Sequence, residues 1–279
     1  MRIALVYERL REEERSILKA IEELGHEPIP VHINSNFMSL STDRVFPADI
    51  AIIRAISATK AHSSAVALES MGVKVINASD VLATCGNKLT TTAKLSEAGI
   101  PTPKTMVAFS LDGALKAAKE IGYPVVVKPI NGSWGRLVSL AEDEEDLRTI
   151  LEHREAIPSP YYRIHYIQEF IRKPGRDIRA YGTEKEFVTA IYRISDHWIT
   201  NTARGARAEP APQNPELQEL VVRTARAMGG GFLGMDIAED EERGLLVLEV
   251  NAVTEFKNAA RVTGVNIARE LVSYALGVS

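Results

Sequence analysis

Lys128 closes the apolar run Val125-Val126-Val127, and a lysine in that position is costly to bury unless it meets an anion. Directly after it, Asn131-Gly132-Ser133-Trp134-Gly135-Arg136 is a Gly/Ser loop able to turn successive backbone N–H groups toward a phosphate. Together the two features suit a nucleoside triphosphate, against the plainer alternative of a snorkelling lysine beside a tight turn. The pattern G-x-x-x-x-G-K-[ST] is absent, so the loop is not a P-loop. Trp134 stands inside the loop, where a core residue is not expected, and reads as a cover over bound nucleotide.

A second set joins Gly234-Met235-Asp236-Ile237 to Val247-Leu248-Glu249-Val250-Asn251. If the acidic turn from Glu239 to Gly244 folds two antiparallel strands together, Asp236 comes nearly opposite Glu249, and Glu249 and Asn251 share a face. Hard oxygen donors with no Cys or His select Mg²⁺ or Mn²⁺. A strand end with one solvated carboxylate would explain Asp236 but not an acid inside the apolar run 245–250. The third set is Gly175-Arg176-Asp177-Ile178-Arg179, Arg193 and Asn201-Thr202-Ala203-Arg204-Gly205. Its four arginines predict a local anion surface, or otherwise only a solvated face. The single cysteine, Cys85, reads as a small buried hydrophobe, and His197 beside Trp198 as a substrate contact or a structural histidine.

The elements that must position these residues follow from periodicity. Arg2 to Tyr7, Ala48 to Arg54 and Val73 to Asn77 predict strands, with helices over Arg11 to Leu24 and Ser63 to Met71 between them; this rhythm predicts an α/β unit with a mostly parallel sheet. No G-x-G-x-x-G accompanies it. Boundaries fall at Gly99-Ile100-Pro101-Thr102-Pro103 and Lys173-Pro174-Gly175, dividing the chain into 1–99, 100–174 and 175–279. In the middle part, helices are expected over Leu111 to Ile121 and Glu144 to His153, and strands over Pro124 to Pro129, Leu137 to Leu140 and Tyr166 to Ile171. In the last part, Asp177 to Tyr181 and Phe187 to Ile194 form a hairpin. A polar stretch from Asn201 to Pro215, a helix over Glu216 to Met228, the metal strands and a helix over Ile267 to Leu276 follow.

The 279 residues carry 33 basic and 37 acidic side chains, a net charge of −4, which supplies no global field for nucleic acid. No apolar run reaches the roughly 18 residues that span a bilayer, and Met1 opens straight into RIALVY; no membrane partner and a cytoplasmic location are expected.

In their order along the chain, Lys88, the Lys128 strand, the loop after it, Gln168-Glu169-Phe170-Ile171 and the Asp236, Glu249, Asn251 set resemble the ATP-grasp ligases. The strings KPINGSWGRL, QEFIRKPGRDIR, HWITNTARG and EVNAVTEFKNAARVTG are similar to the RimK-like branch, and within it to the LysX-type ligases that join α-aminoadipate to the small acidic carrier protein LysW. The resemblance implies an ATP-grasp fold: an N-terminal parallel-sheet α/β domain, a central α+β lid and a C-terminal α+β domain with an antiparallel sheet. It implies ATP and Mg²⁺, with Lys88 and Lys128 on the α and β phosphates. Gly132, Ser133, Trp134 and Gly135 would lie over the β and γ phosphates, Gln168 to Ile171 against adenine, and Asp236, Glu249 and Asn251 on the metal. Arg179, Arg193, Asn201 and Arg204 would surround the reacting groups, and His197, Trp198, Thr202 and Thr254 to Asn258 would contact substrate. In the last segment, Lys257 and Asn258 would donate to a side-chain carboxylate and Phe256 would pack on methylenes.

The implied reaction is attack of the carrier's C-terminal glutamate side chain on the γ phosphoryl group, then displacement of phosphate by an amino acid's α-amine, in a homo-oligomer (dimer or tetramer). The alternatives are glutamate as the amino acid, use of both, glutamylation of a ribosomal protein, and a nucleotide-binding module without turnover. Asn87 stands where the family often has Asp, and Ala206 where RimK-like members often have Gly.

Overall fold

Four consecutive residues, Ile3-Ala4-Leu5-Val6, are fully buried, the signature of a strand covered on both faces. The computed structural model describes residues 1–41, 46–132, 135–198, 200 and 205–277. Strands β1 (Arg2–Tyr7), β2 (Glu27–His32), β3 (Ile50–Arg54) and β4 (Lys74–Ile76) form a parallel sheet of order β2-β1-β3-β4, with α1 (Glu12–Glu23) and α2 (Ala58–Ser70) as crossovers. The sheet's β2 strand was not expected; it contains Pro28 and Pro30, which an edge strand tolerates but which hide it from a reading by β propensity. Helices α3 (Ser79–Cys85) and α4 (Lys88–Glu97) follow. Asn87 caps α4, its Oδ1 accepting from Leu89 N at 3.0 Å, so the amide does there what an aspartate would.

The middle of the chain forms an antiparallel sheet, order β5-β8-β6-β7, from β5 (Thr105–Ala108), β6 (Val125–Lys128), β7 (Ser139–Ala141) and β8 (His165–Glu169). Helices α5 (Leu111–Ile121) and α6 (Glu144–Glu155) pack on it around a core of its own that includes Leu115, Val125, Val127, Leu147 and Ile167.

The third sheet, order β11-β10-β9-β12-β13, is antiparallel throughout: β9 (Arg176–Gly182), β10 (Phe187–Ile194), β11 (Arg207–Pro210), β12 (Leu233–Asp240) and β13 (Gly244–Asn251). Helix α7 (Pro215–Ala227) covers it, and α8 (Lys257–Thr263) and α9 (Ile267–Gly277) close the described chain. Strand β11 lies in what reads as a polar stretch, because an edge strand needs only one partner and few buried residues. One apolar cluster joins Ile3, Ile50 and Ile76 of the first sheet to Tyr181 and Ile191 of the third and to Phe256 and Leu271, so these two sheets share a core. No helix among the described residues is long and apolar enough to cross a membrane.

Candidate active site

Strand register decides which charges meet. Asp236 on β12 pairs with Glu249 on β13 and with Arg179 on β9, while Arg193 on β10 pairs with Asp177 on β9. The two-residue period of β9 then sets Asp177 and Arg179 on one face and Arg176 on the other. The expected surface of four arginines is corrected accordingly. Arg176 leaves it, pairing with Glu239 at 2.6 Å and lying over the Tyr192 ring, and Arg204 lies outside the described residues. So do Ser133, Trp134, Asn201 and Thr202.

Arg193 is 3% exposed and grips Asp177 with two hydrogen bonds, Nε to Oδ1 at 2.7 Å and Nη2 to Oδ2 at 2.8 Å. Its Nη2 also stands 3.0 Å from Asp236 Oδ1, and Arg179 Nε 2.8 Å from the same oxygen. Burial would raise the Asp236 carboxyl, but Arg179 and Arg193 outweigh it and hold the group below the usual carboxylate range. Thr200 Oγ1 donates to Asp177 and accepts from Lys173 Nζ at 3.1 Å.

A cleft of about 810 Å³ opens between this face and the middle sheet. Lys88, Lys128, Gly132, Gly135, Gln168, Glu169, Phe170 and Ile171 all line it, as do Asp236 and Glu249. Lys128 Nζ donates to Gln168 Oε1 at 2.6 Å, and burial pulls the amine down to about 8. Lys88 Nζ reaches Gly132 O at 2.7 Å and Glu249 at 3.1 Å, tying the loop to the acidic strand. The Glu169 carboxylate turns away, accepting from Lys104 N and Arg243 Nη1, each at 2.6 Å, which leaves its backbone to face the cleft. Ile171 and Leu248 pack together as an apolar wall. Trp198 lies edge-on to Phe170 at 5.9 Å, on this wall of the cleft, with His197 stacked on it. Cys85 packs beside the third sheet's core, and burial raises its thiol to about 12, leaving it no thiolate character.

Oxygen donors for a cation are present but few. Among the described residues no group of three His, Cys, Asp or Glu side chains could hold a metal, so Asp236, Glu249 and the amide of Asn251 form a partial shell. Asp236 Oδ1 is buried without an aligned hydrogen bond despite its two arginine neighbours, and Asn251 Nδ2 is buried without a partner. A hard cation that takes its remaining ligands from nucleotide phosphates fits this set.

A second cavity, about 800 Å³, lies on the far side of Arg193 and is lined by Arg11, Glu13, Arg179, Glu255, Lys257 and Asn258 among others. Arg11 and Glu13 were not singled out in the sequence, because nothing in the run Arg11-Glu12-Glu13-Glu14 distinguishes a cavity wall from a solvated helix start. Arg11 Nη1 holds Glu255 at 2.8 Å and Lys257 Nζ holds Glu12 at 2.6 Å. Two expected substrate contacts are corrected here. Phe256 is 3% exposed and packs in the core shared by the first and third sheets, since a large apolar ring gains more there than at a wet wall. Thr254 is equally buried and lines neither of these two cavities.

Comparison with known proteins gives this geometry its context. Residues 3–84 match the LysX preATP-grasp domain, and residues 85–275 match the RimK-like ATP-grasp domain. Over 276 residues the chain is 41% identical to the alpha-aminoadipate–LysW ligase LysX of Sulfurisphaera tokodaii, covering 98% of this chain and 97% of that protein. Over 285 residues it is 37% identical to the glutamate–LysW ligase ArgX of the same organism, covering 98% of each. A RimK domain ATP-grasp protein from Sphaerobacter thermophilus superposes with a TM-score of 0.80 at 26% identity over 99% of this chain and all of that one. The ATP-grasp ligase PsnB, solved with a minimal precursor, Mg and ADP, superposes at 0.74 with 18% identity, over 99% of this chain and 97% of that one, a likeness of fold. The three sheets and both family matches agree, and the chain belongs to the RimK-like ATP-grasp ligases.

Proposed function

We propose that the chain is an ATP- and Mg²⁺-dependent ligase that joins the side-chain carboxyl of a LysW-type carrier's C-terminal glutamate to the α-amine of α-aminoadipate through an acyl phosphate. The observation that carries this reading is Arg193, a buried cation lining both the 810 Å³ cleft and the 800 Å³ cavity, where two substrates approaching from opposite sides would meet. The similarity to LysX along nearly the full chain supports the choice of substrates. Functional division at 1–99, 100–174 and 175–279 is supported by the one sheet each segment contains.

On this reading Lys88 and Lys128 bind the α and β phosphates, the 132–135 loop covers the β and γ phosphates, and the 168–171 backbone with Leu248 receives adenine. Asp236, Glu249 and Asn251 hold Mg²⁺, or Mn²⁺, which share the same oxygen-donor chemistry. Bound there, the cation neutralises charge on the phosphoryl oxygens as they transfer. Arg179 and Arg193 orient the acceptor carboxylate and offset the charge of the acyl phosphate, work that is positioning and electrostatics rather than covalent catalysis. The amine attacks the acyl carbon, the C–N bond forms as the C–O bond to phosphate breaks, and phosphate or water accepts the proton.

Glutamate is the second reading, favoured by the similarity to ArgX and by the single methylene that separates the two amino acids. The test is to incubate the protein with ATP, Mg²⁺ and a LysW-type carrier, add either amino acid, and weigh the carrier. The expected result is a mass gain of one residue, larger with aminoadipate; no gain with either, while nucleotide still binds, leaves the module without turnover.

A further inference from the structure

Arg54, the last residue of β3, is 3% exposed and lines neither the nucleotide cleft nor the second cavity. Its Nε meets Glu14 Oε1 at 3.1 Å, its Nη1 donates to Thr254 O at 2.7 Å, and its guanidinium lies over the Phe256 ring. A buried guanidinium that touches no cavity wall has its job inside the protein, and its partner identifies that job. Thr254 Oγ1 accepts from Arg179 Nη1 at 3.2 Å, the one hydrogen bond of the Arg179 guanidinium among the described residues. The contact of Arg179 Nε with Asp236 is close but not aligned as a hydrogen bond, so Coulomb attraction there leaves the fork free to rotate. Gly234 makes room for this arrangement, because a Cβ on that residue would overlap Thr254 Oγ1 and crowd Arg179 Nη1.

Resting on the role proposed above for Arg179, we infer that Arg54 and Thr254 are positioning residues, through which the N-terminal sheet sets the angle of the Arg179 guanidinium at the reacting centre. Arg54 fixes the segment after β13, and the threonine hydroxyl fixes the arginine. The N-terminal unit thus supplies more than a wall, since the run Glu14, Arg54, Thr254, Arg179, Asp236 connects its α1 helix to the metal strand.

Thr254→Val keeps the shape and removes the acceptor. It is expected to lower kcat about tenfold, the effect of losing one hydrogen bond to a charged group, with the KM for ATP and the Tm unchanged. Thr254→Ser should restore most of the rate. In a double-mutant cycle, Thr254→Val combined with Arg179→Lys should be no slower than Arg179→Lys alone. Multiplying losses, or full activity of Thr254→Val, overturns the inference. Arg54→Lys should lower kcat with the KM for ATP unchanged; a fall in Tm at unchanged kcat would make Arg54 structural and overturn its part. Failure of the underlying reading looks different: Arg179→Lys would itself be fully active, or wild type would add no mass to the carrier.

Discussion

The two cavities that meet at Arg193 are built in opposite ways. The nucleotide cleft takes its groups from short contiguous strings, 128–136, 168–171 and 236–249, each a strand with its following turn. The second cavity gathers the start of α1, alternate residues of β9 and β10, and the start of α8, places separated by more than 240 residues between Arg11 and Glu255. Its charges also pair with one another, Arg11 with Glu255 and Lys257 with Glu12, whereas Asp236 and Glu249 depend on cations at the reacting centre itself. The lesson is that a site for a ligand with fixed chemistry can be local in sequence, while a site that selects a substrate is assembled by the fold and tuned by pairs.

The hardest blow to this contrast should come at the metal strands. Glu249→Gln is expected to reduce turnover by roughly a hundredfold or more while sparing the fold, because its carboxylate is partly exposed and has only Lys88 to release. Asp236→Asn should lose turnover and also about 3 kcal/mol of stability, since two buried guanidinium groups would lose their counter-charge. The separation of two facing carboxylates by these cations also removes the repulsion that their juxtaposition alone suggests. Activity with Mg²⁺ and thermal melts on both variants check the pair; full turnover in Glu249→Gln removes the metal assignment.

Next in size is Lys128. Lys128→Met should weaken ADP binding by about ten- to a hundredfold, in line with 1.5 to 3 kcal/mol for hydrogen bonds to charged groups. Burial sets the wild-type amine at about 8, below its ordinary range, so the folded protein releases this proton before the unfolded chain does. Between about pH 8 and the ordinary lysine range near 10.4, the unfolded chain holds more protons and stability due to this group rises with pH. ADP affinity moves the other way, falling from pH 7 to pH 9 as the cation is lost. Calorimetry at the two pH values should show that decline in wild type and not in Lys128→Arg; a flat wild-type profile contradicts it.

These two tests concern what periodicity already exposes. The facing of Asp236 and Glu249 follows from two apolar runs joined by an acidic turn, and the register pairs them. The same reasoning cannot place Arg11, Glu13 or Arg54, because their meaning depends on which sheet packs against which, a fact absent from any local window. It also overestimates Arg176 and Phe256: a one-residue phase along β9 sends the first to the wrong face, and the core takes the second. Strands β2 and β11 escape for a related reason, since an edge strand is specified by its neighbour more than by its own residues.

A smaller effect is expected for carrier binding. Arg193 is buried and Arg179 mostly so, and they therefore meet the carboxylate at the tip of an acidic tail rather than its flank. Exposed charges are screened beyond a Debye length of about 8 Å at physiological ionic strength, but buried ones far less. Carrier affinity should fall only a few-fold between low and high salt, read by titration at both. A fall of several orders of magnitude would point to a broad basic docking face instead.

The smallest effect belongs to amino-acid choice. Of the residues expected to read the side-chain carboxylate, Phe256 is in the core and the Lys257 amine is held by Glu12 in an exposed pair, whereas Asn258 lines the second cavity from the first turn of α8. An amide there can donate to a carboxylate whose depth differs by one methylene between aminoadipate and glutamate. Such a difference amounts to about 1 to 3 kcal/mol at most, so Asn258→Gly should shift the ratio of kcat/KM for the two amino acids by several-fold and leave ADP affinity alone. Glycine also costs a helix roughly 1 kcal/mol, so a lower Tm is expected either way and decides nothing. Lys257→Met provides the contrast, since breaking an exposed ion pair should leave the ratio where it was. The ratio measured at one carrier concentration in wild type and both variants settles the matter: unchanged in Asn258→Gly, it assigns Asn258 to the helix start and moves selectivity to Arg11 and Glu13 across the cavity.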